Sequence, residues 1–169
     1  MELLSYIKNR ASIRGFTAEP VDQEALKRIL EAGRLAPSAK NRQPWRFIVI
    51  QDEAMRRRVQ NAAFGQGYIG SAPAIIAACT TNVDYRMPNG QLSYPIDISF
   101  AVSFMMIQAE AEKLGTCVVT TFDEREVKEF LTVPYLMKVV MLLLVGHPAD
   151  KTLPAEKKAF DQVVSFDHW

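Results

Sequence analysis

The sequence predicts an α+β fold, a single domain of buried strands and amphipathic or apolar helices. Three observations carry this. A chain of 169 residues with 49% hydrophobic content is one domain's worth and can bury a substantial core. Residues 46–51, 72–80, 116–121 and 138–145 are apolar runs of strand length, and 72–80 is so nearly all apolar that it reads as a strand covered on both faces. Segments with helical periodicity and recognisable caps lie between those runs.

Residues 1–9 place Leu3, Leu4 and Ile7 on one helical face. Residues 22–35 repeat the pattern with Leu26, Ile29 and Leu30, behind an Asp22 cap and with Pro37 ending the helix. After the strand at 46–51, Asp52 caps a helix running to about Phe64, and 72–80 follows as the central strand. Residues 82–95 contain Met87-Pro88-Asn89-Gly90 and two tyrosines, Tyr85 and Tyr94, and form the segment expected to be mobile. Residues 97–113 are apolar nearly all the way round, so this helix must be buried on more than one side. Two readings are open for it: a central core helix, or one that also packs across a dimer interface. Gly115 is its expected C′ residue, and 116–121 is the next strand. Asp123 with Glu126 forms a capping box for a helix over 124–131, and 138–145 is the last buried strand. The tail after Pro148 is polar, then turns apolar at Val163-Val164-Ser165-Phe166 and Trp169, a pattern that asks for a partner surface.

Net charge of +1 and a pI near 7.8 argue against a dedicated nucleic-acid or membrane-surface protein. The run Arg56-Arg57-Arg58, beside Asp52 and Glu53, reads as a solvated helix face. Cys79 and Cys117 each sit inside an expected buried strand, so they read as apolar fillers in a reducing compartment rather than as a disulfide. Met1-Glu2-Leu3-Leu4-Ser5 has neither a basic start nor an apolar run, and no stretch approaches membrane-spanning length; the expectation is cytoplasmic. His147 and His168 match no metal spacing, and no metal site is expected.

Two segments carry chemistry. Residues 36–45, Ala36-Pro37-Ser38-Ala39-Lys40-Asn41-Arg42-Gln43-Pro44-Trp45, break a helix and gather small, amide and aromatic side chains into one loop. Asn41 and Gln43 each offer donors and acceptors, Ser38 and Ala39 let backbone approach a ligand, and Trp45 supplies an apolar wall. Such a loop suits a flat, polar-edged ligand, and ordinary turn chemistry is the competing account. In Arg10-Ala11-Ser12-Ile13-Arg14-Gly15-Phe16, alternation points Arg10, Ser12 and Arg14 the same way if the segment is extended. That row can grip an anion, and a solvated basic turn is the alternative.

Together the two segments resemble the nitroreductase-like flavoprotein family, whose members open with Arg-x-Ser-x-Arg-x-Phe and follow with a helix and an Ala-Pro-Ser-x-x-Asn-x-Gln-Pro-Trp loop. Later landmarks fit the same order: Ser71-Ala72-Pro73, Asp97, Leu114-Gly115-Thr116-Cys117, Val145-Gly146-His147-Pro148 and Lys157-Lys158. The resemblance implies one nitroreductase-like FMN-binding domain over 1–169 with a mixed central sheet flanked by helices, acting as a homodimer whose C-terminal extension adds a strand to the partner's sheet. It implies an FMN phosphate held by Arg10, Ser12, Lys157 and Lys158, with Arg14 as the cation at the ring's N1 and O2, where reduction places negative charge. It also implies Pro37, Ser38, Ala39 and Asn41 against the ring from the partner subunit, Gln66 near the flavin, and backbone N–H groups of Thr120 and Thr121 facing N5 and O4. Two threonines depart from the Glu-Gly or Gly common in the family. No side chain is needed as catalytic acid or base, because the hydride chemistry belongs to the cofactor. The implied cycle is ping-pong, with NADH or NADPH as donor and a nitroaromatic, quinone or enone as small-molecule acceptor. The alternatives are a flavin-binding carrier or sensor with little turnover, and a different flavin chemistry such as dehalogenation or flavin destruction.

Gly65-Gln66-Gly67-Tyr68-Ile69-Gly70 satisfies the dinucleotide pattern Gly-x-Gly-x-x-Gly. The context is wrong for it: a helix is expected before and a strand after, the reverse of what a phosphate-binding turn needs. The segment reads as a flexible connection.

Overall fold

Two opposite faces of one antiparallel sheet organise the computed structural model, which describes residues 2–169. The strands are β1 (Trp45–Ile50), β2 (Ala74–Thr80), β3 (Gly115–Val119) and β4 (Lys138–Gly146), in spatial order β1-β2-β4-β3. All three pairings are antiparallel, and the parallel part of the expected mixed sheet is confined to one bridge, Ser12 to Thr116.

β2 is buried at every residue, and its alternation divides the core. Ile75, Ala77 and Cys79 join Leu142, Leu144 and Cys117 beneath α3 (Glu53–Ala62), α4 (Gly67–Ser71) and α6 (Glu124–Phe130). Ala74, Ile76 and Ala78 join Leu143 and Val145 beneath α2 (Gln23–Arg34) and α5 (Tyr94–Ala111). A strand with two apolar faces needs a layer on each side, and the helices supply both. The first helix, α1, is Leu3–Asn9; the expected helix over 1–9 includes Met1, which lies outside the described residues.

The expected caps form. Asp22 accepts from Ala25 N–H and Asp52 from Met55 N–H, each at 2.9 Å. Asp123 accepts from Glu126 N–H at 3.0 Å, but the reciprocal half of the capping box is replaced: Asp123 N–H donates to Ala62 O at 2.7 Å, tying α6 to α3.

Four expectations are corrected. α5 starts at Tyr94 rather than Asp97, because Pro95 falls in the first turn, where its missing N–H costs nothing. Its C-terminal left-handed residue is Lys113 (φ 62°), not Gly115. Gly115 instead opens β3, where a Cβ would lie 2.5 Å from Ile13 Cγ1 and 2.9 Å from Pro148 Cγ. The 65–70 segment is not a flexible connection: most of it is α4, with Ile69 fully buried and Gly70 closed against Gln60. Arg56 is not on a solvated face either, since its Nη1 donates to Gly70 O and Ala72 O, both at 2.9 Å, and so caps α4. Its neighbours behave as expected of surface arginines, Arg57 pairing with Glu53 and Arg58 stacking over Phe130.

Residues 82–95, expected to be mobile, form a hydrogen-bonded turn. Arg86 bridges Leu92, Met87 N–H donates to Gln91 O, and Ser93 N–H donates to Tyr85 O. Among the described residues no helix is long and apolar enough to cross a membrane, and no cluster of His, Cys, Asp and Glu could hold a metal ion. Both cysteines are free and buried. Burial pushes the Cys79 thiol up to about 11.

Candidate functional site

The 36–45 loop is held in a conformation that ordinary residues avoid. Lys40, Asn41 and Gln43 have φ of 55°, 52° and 49°, all in the left-handed region and none of them glycine. Three hydrogen bonds impose this. Asn41 N–H donates to Ser38 O, Gln43 N–H to Ser38 Oγ, and Ala39 N–H to Asp97 Oδ1 at 2.8 Å. Asp97 is 2% exposed, and its Oδ2 has no partner among the described residues. Ser38 Oγ keeps its own proton available as a donor, and the Asn41 side chain is exposed.

The 10–14 row has the geometry its alternation predicts. Ala11 and Ile13 are buried, whereas Ser12 and Arg14 are exposed and Arg10 is half-buried. Ile13 N–H donates to Thr116 O at 2.9 Å, which lays the segment along the outer edge of β3. Both guanidinium groups lie close enough to Cys117 to pull its thiol pKa down, although burial prevails and raises it. Thr120 and Thr121 follow β3 at its other end and are exposed. Four strand steps lead from Thr116 to Thr120, about 13 Å.

Lys157 and Lys158 lie on an exposed tail. Gln66 is engaged locally: its Nε2 donates to Ala63 O at 3.2 Å and its Oε1 accepts from Tyr68 O–H at 2.9 Å.

One chain does not bring these groups together. The loop precedes Trp45, which pairs with Thr80 at one end of β1, while the row lies beside Gly115, which pairs with Gly146 at the other end of the sheet and on its opposite edge. Helix α5 connects the two corners. Its first turn lies under the loop at Asp97, its end leads through Leu114 into Gly115, and its 18 residues span about 27 Å. Its inner face, Ile98, Ala101, Val102 and Met105, packs on α2 and the sheet, with Met105 Cγ 2.9 Å from where a Cβ on Gly33 would sit. Its outer face leaves Phe100 46% and Phe104 41% exposed.

The family model for the nitroreductase family matches residues 7–86 and 65–147. The chain belongs to the nitroreductase family. It is 28% identical to a Thermus thermophilus protein named NADH dehydrogenase, over 92% of this chain and 91% of that one. It is 30% identical to the FMN reductase [NAD(P)H] of Bacillus subtilis, over 89% of this chain and 68% of that one. A crystal structure of a Clostridium novyi nitroreductase-family protein superimposes with a TM-score of 0.83 at 30% identity, covering 90% and 89% of the two chains. The sequence did not mark Asp97 as a loop anchor in this nitroreductase-family chain, although it is the lone charge in 94–109. The contact of Arg42 with Tyr85, at 3.8 Å from the ring centroid, joins two segments 43 positions apart and left no local signal.

Proposed function

We propose that this chain is an FMN-dependent NAD(P)H oxidoreductase of nitroreductase type, working as a homodimer and passing two electrons to an electron-poor small molecule such as a nitroaromatic, quinone or enone. One observation carries the reading: the anion-gripping row and the ring-facing loop occupy opposite corners of one chain, at the two ends of a helix with an exposed apolar face. Two copies pairing their α5 faces antiparallel about a two-fold axis bury Phe100 and Phe104. The same pairing sets the loop of each chain beside the row of the other, giving two equal composite sites.

The row fits FMN by its donor chemistry. Arg10, Ser12 and Arg14 make no hydrogen bond or ion pair through their side chains among the described residues, so their donors are free for an anion. When bound, FMN supplies two-electron hydride transfer between a nicotinamide and an acceptor. Arg10 and Ser12 hold the phosphate, and Lys157 and Lys158 join them from the tail. Arg14 stands at the pyrimidine edge of the ring and favours the reduced, more negative form. Backbone N–H groups of Thr120 and Thr121 face N5 and O4. Pro37, Ser38, Ala39 and Asn41 of the partner copy cover the ring and exclude water, and Gln66 borders it. The free, buried cysteines suit a reducing compartment such as the cytoplasm.

The test is a visible absorption spectrum after FMN reconstitution and gel filtration, followed by anaerobic NADH and then NADPH. Flavin bands that bleach with either nucleotide support the oxidoreductase. Bands that persist favour a carrier or sensor, and a colourless protein overturns the FMN reading.

A further inference from the structure

The two cations that flank Asn41 share one aromatic ring, whereas Arg58 and Lys128 each have a ring to themselves. Arg42 lies 3.8 Å and Lys40 5.5 Å from the centroid of the same ring, that of Tyr85. Two like charges on one ring repel unless an anion offsets them. Four other surface cations are answered by carboxylates: Lys27 pairs with Glu24, Arg28 with Glu112, Arg34 with Glu31 and Arg57 with Glu53. Among the described residues neither Lys40 nor Arg42 forms an ion pair, and Asp84, next to the ring in sequence, pairs with neither. Arg86, one residue further on, donates through Nη1 to Gly90 O at 2.9 Å and brings a third unpaired cation to the same turn.

The platform is fixed. Tyr85 N–H donates to Asn82 Oδ1 at 3.2 Å, and its carbonyl accepts from Ser93 N–H at 3.0 Å. Lys40 is held by its left-handed backbone between two loop hydrogen bonds. An arginine stacked on an aromatic face keeps its N–H donors in the plane of the guanidinium, directed outward for a phosphate.

We infer that Lys40 and Arg42, mounted on Tyr85, form a phosphate subsite for the adenosine 2′-phosphate end of NADPH. This rests on the reading that the 36–45 loop covers the flavin ring, because a nicotinamide stacked on that ring carries its phosphates out past the residues on either side of Asn41. The subsite is separate from the row that holds the flavin's own phosphate.

Adenosine 2′,5′-bisphosphate and 5′-AMP are titrated calorimetrically onto the dimer, and KM and kcat are measured with NADPH and NADH. The bisphosphate is expected to bind more tightly than 5′-AMP. In the double variant Lys40→Gln/Arg42→Gln its affinity falls about a hundredfold and the KM for NADPH rises by a similar factor, about tenfold for each of the two lost charged contacts. Over the same change kcat and bound flavin are retained. Tyr85→Leu, which leaves both charges but removes their mount, gives a smaller loss in the same direction. Bisphosphate affinity and NADPH KM that do not move in either variant overturn the subsite, while flavin bleaching by NADH shows that the oxidoreductase reading stands. Bisphosphate binding that depends on Lys40 and Arg42 in a protein that takes up no FMN supports the subsite and sinks the flavin reading instead.

Discussion

Ala39 N–H donates to Asp97 Oδ1 at 2.8 Å, joining the strained 36–45 loop to the first turn of α5 across 58 positions of sequence. The carboxylate is 2% exposed, so this bond forms away from water's competition. Asp97→Ala leaves Ala39 N–H without its partner and releases the left-handed stretch from Lys40 to Gln43, at a cost of about 1–3 kcal/mol. In a chain of this size that lowers Tm by about 2–4 °C per kcal/mol. Asp97→Asn keeps an oxygen for the same bond and should recover most of the loss. Thermal melts of the two variants, with FMN affinity measured beside them, check this; equal Tm losses in Ala and Asn would mean that charge rather than the hydrogen bond matters.

Arg14 is exposed on the outer edge of β3, so replacing it disturbs no core. Arg14→Ala is expected to leave Tm and dimer mass unchanged, weaken FMN about tenfold and shift the bound flavin to a more negative potential. Flavin fluorescence titration and spectroelectrochemistry measure the two effects. Unchanged affinity and potential would remove Arg14 from the site.

The fold and the conformations of the two candidate segments were legible where they are local. Alternation at 10–14, the caps Asp22 and Asp52 and the apolar runs of β2 and β4 each follow from neighbours a few residues apart. What was not legible depends on distant packing. Gly115 looked like a helix terminator, and only the approach of Ile13 and Pro148 shows why its side chain must be absent. Arg56 looked solvated until α4 presented the carbonyls of Gly70 and Ala72 to it. The 65–70 segment looked flexible because the contact that closes Gly70 comes from Gln60 on α3.

Gly115→Ala tests the close approach directly. A methyl there meets Ile13 and Pro148, so the N-terminal row must shift outward from β3. We expect a loss of about 1–3 kcal/mol in denaturant unfolding and weaker FMN binding, because Ser12 rides on the displaced segment. Unchanged stability would mean that the edge segment moves freely.

Cys79 provides a pH signature. Its folded thiol titrates at about 11, above the ordinary value of 9.0, so the folded state holds this proton more tightly than the unfolded one. Stability from this group is full below pH 9 and is lost as the pH climbs from 9 toward 11. In Cys79→Ala, the fall in stability between pH 9 and 10.5 should be shallower, and thiol labelling of the native protein at pH 8 should be slow at both cysteines. Fast native labelling at Cys79 would contradict its burial.

The tail carries apolar side chains without a place in its own chain. Val163 is 63%, Phe166 75% and Trp169 110% exposed, and the whole stretch from Asp150 onward makes few contacts with the sheet or the helices. Side chains of this kind gain most of their free energy by leaving water, roughly 1.5–3 kcal/mol for a phenylalanine fully covered, and in the proposed dimer a second copy supplies the covering surface. Deleting residues 159–169 should therefore raise the dimer dissociation constant and reduce FMN retention on gel filtration, because the deletion also frees Lys157 and Lys158. Light scattering across a dilution series reads the first effect and absorbance of the eluted peak the second. A truncated chain that stays dimeric and yellow at every concentration would place the dimer's stability in the α5 faces alone and leave the tail without that role.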